Sequence, residues 1–239
     1  MLTYKRILLK MSGEVFKGSK VSGIDFEVLL GLAKRVKKVK ALGVEIGIVI
    51  GGGNIWRYRD NASKGGPSLD RVVSDNLGMM ATNMNALAFV DALKAEGVDA
   101  VALTAYPCEK AMKTYVPAKA KKYLKKGTVV VFAGGTGDPY FTTDTAAAMR
   151  AVETNCDVVM KATKVDYVYD KDPVKYKDAK KYTHLTYAEV IDQKLGVMDM
   201  TCATTCKKGK LPMLVFNLNK VGLIEKAVKG EKVGTLITL

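Results

Sequence analysis

Apolar positions along this chain follow two rhythms. Short, nearly continuous apolar runs at 6–9, 44–50, 98–103, 128–133, 158–160, 211–216 and 235–238 read as strands. Between them, apolar residues recur at three- and four-residue steps. Asp25 caps a helix that places Phe26, Leu29, Leu30, Ala33 and Val36 on one face and stops at Gly43. Further helices are expected over about 70–96, 114–126, 185–195 and 221–229. An Ala-rich helix opens at Thr142, Thr143 and Asp144, and a short one follows Asp199. Strands alternate with helices almost throughout, which predicts an α/β fold with a mostly parallel sheet and helices on both faces. No repeat, linker or low-complexity segment divides the chain, so residues 1–239 are expected to form one domain.

The loops carry the chemistry. Glycine-containing loops follow four strands, at 10–13, 51–54, 134–137 and 217–222. In such sheets ligands bind beyond the carboxyl ends of strands, so several such loops together suggest one large, phosphate-rich site. The stretch 134–173 organises the rest: a glycine loop leads through Pro139, Tyr140 and Phe141 into a helix start, and a strand ending in Lys161, Ala162 and Thr163 follows. Glycines let backbone amides approach a ligand, and a helix N-terminus favours anions; a well-capped turn is the plainer alternative. On the 70–96 helix, Asp75, Gly78, Thr82 and Asn85 share a face, as either a ligand wall or a helix contact. Residues 13–20 nearly match a P-loop, but Ser and Lys stand in the wrong order and no helix is expected there. Residues 51–53 lack the third glycine of a dinucleotide fingerprint. Residues 58–69, polar and Gly/Pro-containing, read as a mobile loop.

Composition adds limits. No apolar run approaches the roughly 20 residues of a membrane span, and the N-terminal apolar segment is too short for a signal peptide. A soluble, cytoplasmic protein is expected. Cys108, Cys156, Cys202 and Cys206 show no disulfide framework. With His184 the only histidine, buried free thiols are expected rather than a zinc site. The net charge of +14 suggests anionic partners. Most of it comes from scattered lysines such as Lys34, Lys37, Lys38, Lys119, Lys122 and Lys126, whose spacing fits solvated helix faces without nucleic acid.

The motifs, in their order, carry a family resemblance. Lys10-Met11-Ser12-Gly13, Ile50-Gly51-Gly52-Gly53-Asn54, Gly78-Met79-Met80-Ala81-Thr82, Gly135-Thr136-Gly137, Phe141-Thr142-Thr143-Asp144, Lys161-Ala162-Thr163-Lys164-Val165-Asp166, Asp172-Pro173 and Gly234-Thr235-Leu236-Ile237 resemble the bacterial uridylate kinases, a branch of the amino acid kinase family. The likeness spans essentially the whole chain. It departs at Tyr58 and Tyr167, where glycine is usual, and at Asp138, where asparagine is usual.

The resemblance implies a three-layer αβα sandwich. Its acceptor part would lie over about 1–160 and its ATP part over about 161–239. It implies transfer of the ATP γ-phosphoryl to UMP, with Mg2+ carried by the nucleotide and no metal site of the protein's own. It also implies a homohexamer and inhibition by UTP. GTP activation is not expected, because positions where activated members carry arginine hold Val90, Val101 and Thr128. On this reading Lys10 stabilises the transferred charge, Asp144 orients lysines, Asp199 is a second organising carboxylate and Lys161 a second cation. UMP would be held by Gly52, Arg57, Asp75 and the run Thr136, Gly137, Asp138, Pro139, Tyr140, Phe141, Thr142 and Thr143. ATP would be held by Lys10, Met11, Ser12, Gly13, Gly53, Arg57, Thr163, Tyr169 and Asp172. The rival readings are a kinase of the same family acting on a carboxylate or carbamate, and a basic nucleic-acid-binding protein.

Overall fold

The computed structural model describes residues 2–57 and 69–239; Tyr58 and nearly all of the expected 58–69 loop lie outside the described residues. The chain runs β1 (Arg6–Met11), α1 (Phe26–Lys40), β2 (Glu45–Ile50), α2 (Arg71–Ala95), β3 (Ala100–Thr104), β4 (Lys113–Thr114), α3 (Pro117–Lys125) and β5 (Val129–Ala133). It continues through α4 (Thr143–Glu153), β6 (Val158–Thr163), β7 (Val168–Tyr169), β8 (Lys181–Tyr182), β9 (His184–Thr186) and α5 (Tyr187–Asp192). It ends with α6 (Met200–Lys208), β10 (Met213–Asn217), α7 (Leu223–Val228) and β11 (Thr235–Thr238). One sheet holds the order β4-β3-β5-β2-β1-β6-β10-β11-β9, with β7 and β8 forming a separate ribbon. Every neighbour pair in the large sheet is parallel except β10–β11.

Strand alternation sorts the core onto two faces. Ile7, Leu9 and Met11 of β1 pack with Leu29, Leu32 and Val36 of α1, Phe89 and Leu93 of α2 and Ile224 and Val228 of α7. Leu8, Val49, Val159 and Val215 point the other way, onto Ala120 and Leu124 of α3, Ala147 and Ala151 of α4, Tyr187 of α5 and Cys202 and Cys206 of α6. The three layers match the expected αβα sandwich. The lysines of α1 and α3 lie on the outer surfaces, as their spacing predicts.

Four departures from the sequence reading have local causes. Residues 185–195 are not one helix: β9 comes first, held by pairing with β11, and α5 spans only Tyr187–Asp192. The helix expected from 114 begins at Pro117, because Thr114 pairs with Thr104 and proline suits a first helical turn. A single 3-10 turn, Gly13–Val15, does follow β1 where no helix was expected. Cys156, Cys202 and Cys206 are buried, but Cys108 is exposed. Among the described residues no helix is long and apolar enough to cross a membrane.

Candidate active site

Register brings two lysines side by side. Lys10 of β1 and Lys161 of β6 are direct partners in the parallel ladder, so both side chains leave the same face of the sheet at its carboxyl edge. Two neighbouring ammonium groups repel, and a negative charge must lie between them. Asp144, in the first turn of α4, supplies it. Its Oδ1 stands 2.7 Å from Lys10 Nζ, and its Oδ2 accepts from Lys161 Nζ. The Lys161 ammonium also donates to Val197 O at 2.5 Å. Lys10 acts on the carboxyl by charge and by hydrogen bonding, as Lys161 does. All three side chains are more than four-fifths shielded, at 12%, 13% and 14% exposure. Burial alone pushes the Asp144 carboxyl up, but the two ammonium groups outweigh it and hold it below the usual carboxylate value. Burial, against the pull of Asp144, draws Lys161 below the usual lysine value. The two directions oppose each other over whether the pair is ionised. Two cations on one carboxylate decide for the ionised form at neutral pH.

Asp199, expected as a second organising carboxylate, reaches neither lysine by hydrogen bond or ion pair. It caps α6 by accepting from Cys202 N at 2.8 Å, and it accepts from the hydroxyls of Thr142 at 2.5 Å and Thr145 at 2.8 Å. Thr142 Oγ1 in turn accepts from the Asp144 amide at 3.0 Å. Asp199 therefore fixes the N-terminus of α4 and acts on Asp144 only through that helix.

Three of the four glycine loops come together: 10–13 meets 51–54, and 51–54 and 134–137 line one cavity. Gly51 N donates to Met11 O at 3.0 Å, and a Cβ on Gly13 would lie 2.3 Å from Gly51 O. Met11 is 1% exposed and its side chain packs in the core. Ser12 caps the 3-10 turn. The fourth loop turns elsewhere: Asn217 and Lys220 bond Asp166 at 2.9 and 2.7 Å.

The polar stripe of α2 answers the question its sequence left open by doing both jobs. Asp75, Gly78 and Thr82 line a cavity of about 150 Å³ together with Gly52, Gly53, Gly135, Thr136, Asp138, Phe141, Thr142 and Thr143. Thr82 Oγ1 accepts from Gly134 N at 2.8 Å. Asn85 lies deeper and anchors loops. Its Nδ2 donates to Gly51 O at 2.8 Å and to Asn54 Oδ1 at 2.7 Å, and Asn54 Nδ2 returns a bond at 2.9 Å. At 0% and 3% exposure, this amide pair ties α2 to the 51–54 loop.

Asp75 accepts from Tyr140 N at 2.8 Å and from Arg71 Nε at 2.9 Å, closing the 134–143 loop over the cavity. Tyr140 sits at φ 69°, a conformation costly for a bulky residue. Gly137, Pro139 and Tyr140 belong to this loop but do not line the cavity. Asp138 and Thr136 close a local turn through the Thr136 hydroxyl. Arg57 is held by Gly53 O at 2.9 Å and Glu14 Oε1 at 2.7 Å, at the rim of the glycine loops.

A model of the amino acid kinase family matches residues 5–217. The chain belongs to that family. Among solved structures, it is 37% identical to a UMP kinase from Ureaplasma parvum, with a TM-score of 0.91 over 98% of this chain and 99% of that one. A UMP kinase from Bacillus anthracis is 34% identical, with a TM-score of 0.94 over 98% and 96%. A uridylate kinase from Archaeoglobus fulgidus is 29% identical, with a TM-score of 0.74 over 97% and 99%.

The residues expected at ATP are more dispersed. Thr163 closes a turn onto Val165 O at 2.8 Å, Tyr169 pairs with Lys181, and Asp172 caps the following turn. Among the described residues no hydrogen bond or ion pair joins these three to one another. Tyr167, one of the departures, lies under Lys181 with its ring centroid 4.9 Å from the ammonium.

Sequence reasoning left Trp56 out of the site. It lines the cavity and donates from Nε1 to Ser74 Oγ at 2.9 Å. A lone tryptophan just past a glycine loop was the available signal. The Asn54–Asn85 pair gave none, because only the fold brings those positions together.

Proposed function

We propose that this chain is a UMP kinase, transferring the γ-phosphoryl of ATP to UMP to give UDP and ADP for pyrimidine nucleotide synthesis. The observation that carries this reading is a junction. A small cavity, walled by Asp75 and the 134–143 loop, is lined at one side by Thr142 and Thr143, directly before the carboxylate that bridges a shielded pair of lysines. The likeness to solved UMP kinases supports it.

Phosphoryl transfer asks for in-line placement and positive charge around the moving group. An oxygen of the UMP phosphate is already anionic, so no base has to remove a proton. Lys10 meets the transferred charge: its ammonium is held 2.7 Å from Asp144 Oδ1, and one such pair leaves N–H donors over for phosphate. Lys161, already bonded to Asp144 and Val197, is a fixed second cation. Asp144 holds both in place, and Asp199 positions the helix start that carries Asp144. Arg57 and the amides of Gly52, Gly53, Ser12 and Gly13 bind phosphate oxygens. Asp75 accepts from the ribose hydroxyls, and Thr136 to Thr143 surround the base. Thr163, Tyr169 and Asp172 serve the ATP base and ribose, so acceptor and donor fall to about 1–160 and 161–239.

With both Asp144 oxygens facing ammonium groups and no cluster of three acidic, Cys or His side chains among the described residues, the chain suits magnesium that arrives on the nucleotide's own phosphates. There the ion neutralises phosphate charge.

A hexameric, cytoplasmic enzyme fits the surface. Val73, Met80, Met84 and Leu87 of α2 are 45%, 50%, 55% and 40% exposed and form an apolar stripe with the steps of a helix–helix contact. UTP shares the uridine of UMP and inhibits from the same cavity. GTP does not activate.

A coupled assay of ADP release with UMP, CMP, dUMP, AMP, glutamate and aspartate tests the reading. UMP should be preferred strongly over CMP, because a site built to bond one base edge leaves polar groups unpaired with the other. Comparable kcat/KM for CMP, or turnover of a carboxylate, would count against it.

A further inference from the structure

Arg150 is a cation buried in an alanine face. It lies on α4 among Ala146, Ala147, Ala148 and Ala151, and is 4% exposed. A charge in such a place is costly unless something is gained from it. Its Nη1 pairs with Glu153 one turn on, at 2.7 Å. Its guanidinium lies 4.1 Å from the ring centroid of Tyr115, whose hydroxyl donates to the same Glu153 oxygen at 2.6 Å. Glu153 and Tyr115 thus balance the charge and fix the plane of the fork. The other terminal nitrogen is aimed at the glycine loop: Nη2 donates to Gly135 O at 3.4 Å and to Thr136 O at 3.2 Å, while the buried Nε bonds nothing among the described residues.

Within the loop, Gly137 N bonds Gly134 O at 3.0 Å and the Thr136 hydroxyl closes a turn onto Asp138. Gly134, Gly135 and Gly137 all have positive φ and no side chain to pack. Thr82 fixes the amide of Gly134, and Arg150 fixes the next two carbonyls. In a planar trans peptide the carbonyl and the following N–H point in opposite directions. Drawing the Gly135 carbonyl back towards α4 therefore turns the Thr136 amide the other way, on a residue that lines the cavity.

We propose that Arg150, held by Glu153 and Tyr115, is a positioning residue that turns the Thr136 amide towards the nucleoside monophosphate and so sets its affinity and base selectivity. The proposal rests on the reading of that loop as the UMP wall. Arg150→Lys keeps the charge but loses the fork, and Tyr115→Phe removes only the hydroxyl that braces Glu153. For Arg150→Lys we expect KM for UMP to rise by about tenfold or more, KM for ATP to stay within about twofold, and the UMP-to-CMP preference to fall by about tenfold. Tyr115→Phe should shift the same quantities in the same direction by less. Thermal melting accompanies each variant. A folded Arg150→Lys enzyme with unaltered KM for UMP and unaltered preference overturns the proposal, as does an equal rise in both KM values that merely follows lost stability. Should Arg150→Lys not fold, an unchanged preference in Tyr115→Phe overturns it instead. A wild type that leaves UMP untouched overturns the functional reading and this proposal together; a wild type that prefers UMP beside unaffected variants overturns the proposal alone.

Discussion

Asp144→Asn removes one negative charge from between two ammonium groups and changes the shape of the side chain very little. Lys10 and Lys161 are 12% and 13% exposed, so their charges cannot relax fully into water. Unit charges about 4 Å apart interact by about 4 kcal/mol at an effective dielectric of about 20. Breaking a shielded pair on one side costs about 3–5 kcal/mol. That is a large part of the roughly 5–15 kcal/mol that holds a domain together, but not all of it. The variant should fold with a denaturant midpoint well below wild type. Its rate should suffer more than its binding, because the freed lysines no longer stand where charge develops. Losing one such preorganised group lowers kcat by about 10²–10³-fold, or about 3–4 kcal/mol of barrier. UMP affinity, read from the fluorescence of Trp56 in the cavity wall, should change by less than about tenfold, since Asp144 touches the reaction rather than the nucleoside. A folded variant with kcat within about threefold of wild type would refute the assignment of Asp144 as the group that orders the two lysines.

Other consequences follow from the same contacts. Asp144 has its carboxyl held below the ordinary value in the folded state, so its share of stability is present above the ordinary carboxylate range and is lost as pH falls through the folded value. Urea midpoints should therefore drop below about pH 4 in the wild type and drop less in Asp144→Asn; parallel acid limbs would contradict this. Gly13→Ala would place a methyl group 2.3 Å from Gly51 O and 2.5 Å from Asn54 Oδ1, so two loops must part. Turnover should collapse while the melting temperature falls only modestly, and near-wild-type kcat would show that the loops do not need this approach. UTP inhibition should be relieved by raising UMP. GTP should not raise the rate, since Val90 and Thr128 are buried and uncharged; a several-fold GTP stimulation at subsaturating ATP overturns that expectation.

Much of the fold was legible because apolar periodicity directly reports burial. Each main strand is a short apolar run, and α1 carries its own cap in Asp25, which accepts from Glu27 N and Val28 N. The two- and three-residue strands β4, β7, β8 and β9 left no such trace. His184–Thr186 is a strand only because β11 pairs with it, and no local pattern announces a distant partner. The site divides in the same way. Lys10, Lys161 and Asp144 sit where loops meet strand ends or a helix starts, and the structure gathers them. Asp199 was assigned on the family resemblance alone, and its oxygens are taken by Thr142, Thr145 and Cys202. Asn85 stood out on the polar stripe without its bonding partners, and Arg150 did not stand out at all, for a different reason. Each works by bonding backbone carbonyls of a remote loop, a role that side-chain type and spacing do not encode.

This junction is proposed to move the γ-phosphoryl of ATP onto the phosphate of UMP. ATP labelled at its γ-phosphorus, incubated with the enzyme, magnesium and UMP, puts that transfer to the test when the products are separated and the label followed. Label should appear in the β-phosphate of UDP, dependent on UMP and lost in Lys10→Ala. Label recovered only as inorganic phosphate, or on a carboxylate or carbamate acceptor with UMP left unchanged, would contradict it.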